Sequence, residues 1–450
     1  MPTAVANRKS ARLRRGLRVI PLAAAIYFMV AGGPYGIEDI LGGAGYAKAL
    51  IILLVLPLIW SFPTALMIGE LASALPAEGG FYIWVRRAMG PFWGYQEAWL
   101  SLTASIFDMA IYPTLFLLYL NRLFPAWTLG WRGTAWELAL IAVCCLWNLR
   151  GAPAVGEGSV TLFAILLSPF VVLVVAAAWH GLHLHGNTAW KSSSVGGAGL
   201  STAILVALWN YMGWDNASTV AQEVEDPQRT YPRAMLMATV VVASSYVIPL
   251  AAVAFAGLDI SQFTTGSWAD AATKLAGPWL GVAIVAGGAL TGLGMFNALT
   301  MSYARLPMVL AEDGMLPRAI ASRNRHGVPW VSVLLCASAW ALALQWGFER
   351  LISLDLMLYG ASLILEFIAL VVLRIREPNL DRPFRAGSLA TAITLGVFPT
   401  ALIVYAAFVS RDERMAHIPA LAFGLIIAAA GPVFYAISRA VRGRNAPERA

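Results

Sequence analysis

The sequence predicts an all-α integral membrane protein built as a bundle of twelve transmembrane helices. Three observations predict it: charge is scarce, apolar stretches of spanning length recur from end to end, and basic residues alternate between the connections. Of 450 residues, 59% are hydrophobic and 12% charged, with a mean hydropathy of +0.70. Soluble domains carry about 25% charged residues, so this chain has too little polar surface to hydrate a globule of its size. A bilayer removes that requirement.

A helix crosses the hydrocarbon core with about 20 apolar residues. Twelve stretches qualify, at 18–45, 47–73, 91–121, 134–150, 158–180, 200–225, 232–257, 278–310, 329–346, 351–373, 388–409 and 417–438. They divide the chain into a basic tail (1–17), a first unit of five spans (18–180), a second unit of five (200–373), a final pair (388–438) and a second tail (439–450). Arg12, Arg14, Arg15 and Arg18 before an apolar run imitate a secretory signal. The run ends in Gly32-Gly33-Pro34-Tyr35-Gly36 and not in a small-x-small cleavage site, which predicts an uncleaved first span.

Orientation follows from Lys and Arg in the short connections. With both termini in the cytoplasm, 23 of the 31 Lys and Arg fall on the inner side and 8 on the outer. This accounts for the net charge of +7 without a nucleic-acid partner and places the protein in an inner or plasma membrane. Cys144, Cys145 and Cys336 lie in apolar runs and are expected as small core residues. None sits in an outer loop suited to bridging a partner subunit.

Two spans break the rules of a membrane helix. Gly32-Gly33-Pro34-Tyr35-Gly36 interrupts the first, and Asn210-Tyr211-Met212-Gly213-Trp214-Asp215-Asn216 interrupts the sixth. Backbone unpaired in hydrocarbon costs several kcal/mol, so it persists only where it is buried in protein or lines a cavity. If spans 1–5 and 6–10 are repeats, the two breaks occupy equivalent positions. An odd number of spans per unit inverts the second repeat, and matched breaks in inverted halves point to a solute site near the midplane.

Charges within spans sharpen that site. Asp108 lies about 16 residues, or roughly 24 Å at 1.5 Å per residue, into the third span. Asp215 lies in the second break. Glu38 and Asp39 open the helix that follows the first break, where acidic groups suit a helix N-terminus. Glu366 lies in the tenth span. Glu70, Glu78, Glu97, Glu157, Glu223 and Glu225 fall near inner ends and are expected as gate or loop partners of the inner arginines, Arg305 among them. The histidines flank spans, and no metal site, cofactor motif, G-x-x-x-x-G-K-[ST] or hydrolase motif is present. A carrier is therefore expected, not an enzyme. A receptor has no need of two matched breaks, and a channel would conduct without saturating.

Several stretches resemble the amino acid–polyamine–organocation superfamily, and most closely its polyamine-uptake and L-type amino acid branch. They are Gly32 to Asp39; Pro76-Ala77-Glu78-Gly79-Gly80-Phe81-Tyr82; Gly90-Pro91-Phe92-Trp93-Gly94; Asp108-Met109-Ala110-Ile111-Tyr112-Pro113; Trp209 to Asp215, running on to Gln222-Glu223-Val224-Glu225-Asp226-Pro227; Ala311-Glu312-Asp313-Gly314-Met315-Leu316-Pro317; and Leu365-Glu366-Phe367 with Arg382-Pro383-Phe384-Arg385. The resemblance implies a leucine-transporter-like 5+5 inverted repeat, two peripheral spans, alternating access and, commonly, proton coupling. Residues 154–180 contain no lysine, where several proton-coupled relatives hold one in the fifth helix, so a coupling proton would have to ride on a carboxylate.

The expected solute is small and cationic. Glu38 and Asp39 already fill the first turn after the break with negative charge, and Asp108 and Asp215 add more. A polyamine suits that field better than an amino acid, which brings its own carboxylate; a cationic or neutral amino acid is the alternative. The expected contacts are Gly32, Gly33, Tyr35, Gly36, Glu38, Asp108, Asn210, Tyr211, Trp214 and Asp215. Asp108, Asp215 and Glu38 are the candidate proton carriers, and Glu70, Glu223 and Arg305 the inner gate.

Overall fold

In the computed structural model the described residues are 16–183, 197–259, 263–346, 348–412, 414–415 and 418–444. The basic residues before Gly16 and after Arg444, together with His185, Lys191 and His417, lie outside them. The fold is a helical bundle. In chain order it comprises α1 (Val19–Val30), α2 (Glu38–Leu56), α3 (Phe62–Ala74), α4 (Gly80–Met89), α5 (Pro91–Leu123), α6 (Pro125–Thr128), α7 (Trp131–Asn148), α8 (Ala152–His183) and α9 (Gly197–Asn210). It continues through α10 (Pro227–Phe255), α11 (Trp268–Ala276), α12 (Pro278–Tyr303), α13 (Arg305–Glu312), α14 (Trp330–Ala343), α15 (Phe348–Arg376), α16 (Leu389–Val409) and α17 (Ala420–Arg444). A two-residue antiparallel ribbon, Arg414–Met415 with Ile418–Pro419, joins the last two helices.

Among the described residues, eight helices are long and apolar enough to cross a membrane, and Val19–Val30 and Trp330–Ala343 are shorter apolar helices. The outward face is a belt of apolar side chains that includes Leu58, Val171, Val175, Val240, Leu342, Val404 and Leu425. Such a surface suits lipid and is poorly suited to water. Proline opens α5, α10 and α12 at positions whose N–H has no helical partner. Gly45, at φ 73° and ψ 167°, turns the chain inside Glu38–Leu56, at the boundary the sequence predicts between the first two spans.

The core is set by α5, which packs along both α12 and α15, and by α1, which lies among α8, α10 and α12. Close approach of α5 and α12 depends on small residues. A Cβ added at Gly292 would lie 2.6 Å from the Tyr112 carbonyl. In lipid, such small-residue contacts are a main source of helix association. The three cysteines are buried and unpaired.

Candidate functional site

The first break runs between α1 and α2, with Gly33 and Gly36 at positive φ (83° and 86°). Its released backbone groups find side-chain partners. Thr291 Oγ1 donates to the Gly32 carbonyl at 2.6 Å, Trp268 Nε1 to Pro34 at 2.6 Å, and Gly36 N donates to Glu38 Oε2 at 2.7 Å. The second break follows α9. Tyr246 donates to the Asn210 carbonyl, Trp60 and Trp214 both donate to the Tyr211 carbonyl, and Gly213 N donates to Tyr359 Oη at 3.0 Å. Past this break the chain continues as 3-10 turns over Trp214–Thr219 and Ala221–Glu223, where the sequence suggests a resumed span. The two breaks touch: Asn210 Nδ2 reaches the Gly36 carbonyl, and a Cβ on Gly213 would meet the Met29 carbonyl at 2.3 Å. With φ at 88°, Gly213→Ala is expected to cost more than about 1 kcal/mol and to lower the melting temperature, measured in detergent.

Between the breaks lies a small cavity lined by Met29, Val30, Asp108, Tyr112, Trp209, Met212, Gly213, Tyr303 and Tyr359. Its free volume is about 10 Å³, room for roughly one water. Asp108 is 5% exposed and accepts from Tyr112 (2.5 Å) and Tyr303 (3.3 Å). Asp215 is 2% exposed and accepts from Tyr359. Among the described residues no ion pair involves Asp108 or Asp215; those present lie towards the ends of the helices and in the connections.

The other expected contacts are placed differently. Glu38 does not line the cavity; its carboxylate accepts from Tyr119 (2.6 Å), Gly36 N and Gly266 N (3.0 Å). Asp39 accepts from the Thr265 amide and hydroxyl. This pair thus ties the helix after the first break to the segment before α11, and the negative charge of the cavity comes from elsewhere. Tyr35 donates to Ile284, Tyr211 to Leu53, and the Trp214 indole is used within its own break, so these aromatics brace the breaks and do not line the cavity.

Asp355, Tyr359, Ser362, Ser101 and Ser105, which sequence reasoning missed, join residues it named on two facing stripes. On α15, Asp355, Tyr359, Ser362 and Glu366 are spaced four, three and four apart and so share one face. On α5, Glu97, Ser101, Ser105, Asp108 and Tyr112 do the same. All nine are buried. Glu97, expected as an ion-pair partner, instead accepts from Ser101 at 2.8 Å, because it lies three turns below Asp108 on the face packed against α15. Glu366 interacts electrostatically with Glu97 and Asp215, and neither of its oxygens has a donor among the described residues. Helical spacing within the tenth span is the signal that finds this stripe.

At the end of the bundle where the described chain enters, the arginines meet carboxylates. Arg305, 3% exposed, pairs with Glu223 and lies 3.7 Å from Glu78, which Arg323 also reaches at 3.0 Å. Arg374 and Arg382 pair with the buried Glu70, whose Oε2 also accepts from Ala386 N at 2.8 Å. The backbone is stitched here too: Gly16 and Leu17 donate to the Glu223 carbonyl, and Gly79 to that of Thr219. Outside the bundle, Glu377 is held below the ordinary carboxylate range by hydrogen bonds from Arg87, in a pair that is partly open to solvent.

Comparison with known proteins agrees with this architecture. Residues 24–430 match the amino acid permease family. The chain is 37% identical over 424 residues to polyamine transporter PUT1 of Oryza sativa subsp. japonica, covering 92% of this chain and 78% of the relative. It is 35% identical over 418 residues to polyamine transporter RMV1 of Arabidopsis thaliana, covering 91% and 84%. A more distant similarity, 26% over 415 residues, is to the serine/threonine exchanger SteT of Bacillus subtilis, covering 89% and 91%. With its interrupted apolar helices, its acidic cavity between them and a family match over most of its length, the chain is a multi-pass membrane protein that belongs to the amino acid permease family.

Proposed function

We propose that this protein is a polyamine permease of the cell membrane, working by alternating access. The observation that carries this reading is that Asp108 lines the buried cavity, Asp215 is bonded to the cavity's Tyr359, and among the described residues no basic side chain pairs with either acid. Buried carboxylates are costly unless a cation neutralises them, and an organic cation supplies what the protein does not. The polyamine transporters among the relatives support the same solute class. An amino acid substrate would need an anion seat at a break, and the Gly36 N–H there is already used by the protein's own Glu38.

The proposed frame has twelve spans, with 1–10 as inverted repeats and both termini in the cytoplasm. The short helices α4 and α11 support the repeat. Each ends at a glycine of nearly identical geometry, Gly90 (φ 95°, ψ 175°) and Gly277 (φ 93°, ψ 173°), and each is followed by proline, an aromatic residue and, two positions further on, glycine. Spans 1, 2, 6 and 7 rock against 3, 4, 8 and 9. Asp108 and Asp215 hold the ammonium groups, and protonation of one of them couples transport to the proton gradient. Glu38 holds one end closed through Tyr119 and Gly266, while Arg305, Glu223 and Glu70 hold the other.

Uptake of radiolabelled putrescine and spermidine into proteoliposomes tests this. The expected result is saturable uptake, stimulated by an inward proton gradient and suppressed by the unlabelled polyamine. Competition by leucine or arginine with none from spermidine overturns the choice of substrate.

A further inference from the structure

We propose that Asp355, buried one helical turn from the cavity wall, is a third ammonium-binding carboxylate and that it selects substrates carrying at least two amines. The inference rests on the polyamine reading above and assigns a residue which that reading does not use. Asp355 is fully buried, and neither oxygen receives a hydrogen bond from any described protein group. It lies one turn before Tyr359 on the same face of α15, and Tyr359 lines the cavity. Its charge acts on Asp108 and Asp215, and on Tyr112 and Tyr303, which also line the cavity.

The three acids differ in how the protein treats them. Asp108 has two tyrosine hydroxyls and Asp215 has one, so each keeps partial compensation without substrate. Asp355 has none, and a buried carboxylate without donors is the most expensive of the three to keep ionised. A second ammonium arriving beside it therefore gains the most. A zwitterionic amino acid adds no net positive charge and leaves the three acids as they were. A diamine or triamine brings two or three positive charges on a flexible chain. Discrimination thus follows from charge balance, by leaving buried groups unmatched when the wrong ligand enters.

The test compares wild type, Asp355→Asn and Asp355→Glu in proteoliposomes for spermidine and putrescine uptake at two pH values, with melting temperatures in detergent with and without spermidine. Asp355→Asn is nearly isosteric and removes an unmatched charge, so it should fold and melt no lower than wild type without ligand. The spermidine KM should rise by about tenfold or more, the spermidine-induced rise in melting temperature should shrink, and uptake should keep its pH response. Asp355→Glu should stay within about threefold of wild type. An Asp355→Asn protein with unchanged KM and thermal shift overturns the proposal. An unchanged KM with a lost pH response overturns it as well, since Asp355 then carries a proton. Failure of Asp355→Asn to fold also overturns it, making the carboxylate a structural partner. If wild type itself takes up amino acids and no polyamine, the functional reading fails and this proposal with it; wild-type polyamine uptake that Asp355→Asn matches removes Asp355 alone.

Discussion

Asp108→Asn is expected to abolish high-affinity polyamine uptake while leaving the protein folded. The carboxylate is 5% exposed and accepts from Tyr112 at 2.5 Å and Tyr303 at 3.3 Å, so its position is fixed before any substrate arrives. Asparagine keeps the shape, removes the charge and replaces one acceptor by a donor that faces hydroxyl donors. Losing one partner of a buried charge pair costs about 2–5 kcal/mol, so the spermidine KM should rise by about 30-fold or more. Asp108→Glu retains the charge but shifts it by a methylene group, and should fall between the two. Uptake kinetics in proteoliposomes check the expectation, with the melting temperature as the folding control. Retained spermidine affinity in Asp108→Asn would remove the role assigned to this residue.

Arg305→Ala should produce a large loss of stability, well above that of an exposed ion pair. Arg305 is 3% exposed, pairs with Glu223, approaches Glu78 at 3.7 Å and donates to the Met301 carbonyl. Alanine leaves Glu223 buried without its cation and Glu78 with Arg323 alone. Breaking a buried pair in this way costs about 3–5 kcal/mol, because the remaining charge stays desolvated. The same segment joins the residues after the second break to Gly16 and Leu17, so Arg305→Ala should also loosen this end and let substrate leak. Arg87→Ala provides the contrast: Arg87 is exposed and Glu377 only half-buried, and such surface pairs contribute about 0–1 kcal/mol. Thermal unfolding and efflux from preloaded vesicles measure both. Equal effects of the two substitutions would refute an anchoring role for the buried pair.

Glu38 illustrates where a sequence argument reaches its limit. Its place in the first turn after a helix break is legible, and so is the fact that a substrate carboxylate would find negative charge there. The direction of its side chain is not legible, since Tyr119 and Gly266 lie 81 and 228 residues away. The structure takes Glu38 out of the cavity lining and bonds it to Tyr119, Gly36 and Gly266 beside the first break. Tyr211 and Trp214 follow the same pattern. The sequence marks them as unusual because they sit in a break, and the bundle then uses them to satisfy backbone groups.

By itself the sequence determined the membrane-spanning class, the positions of both breaks and the presence of Asp108 and Asp215 at depth. These follow from local rules, because hydropathy, glycine, proline and charge act on the segment that contains them. Only the tertiary structure decided which acids gather around the cavity. It brought Asp355 and Tyr359 from α15 against Asp108 and Tyr112 from α5, and turned Glu97 inward beside Glu366. That choice depends on the rotation of two packed helices about their own axes, which no single segment specifies and which the packing of their neighbours fixes.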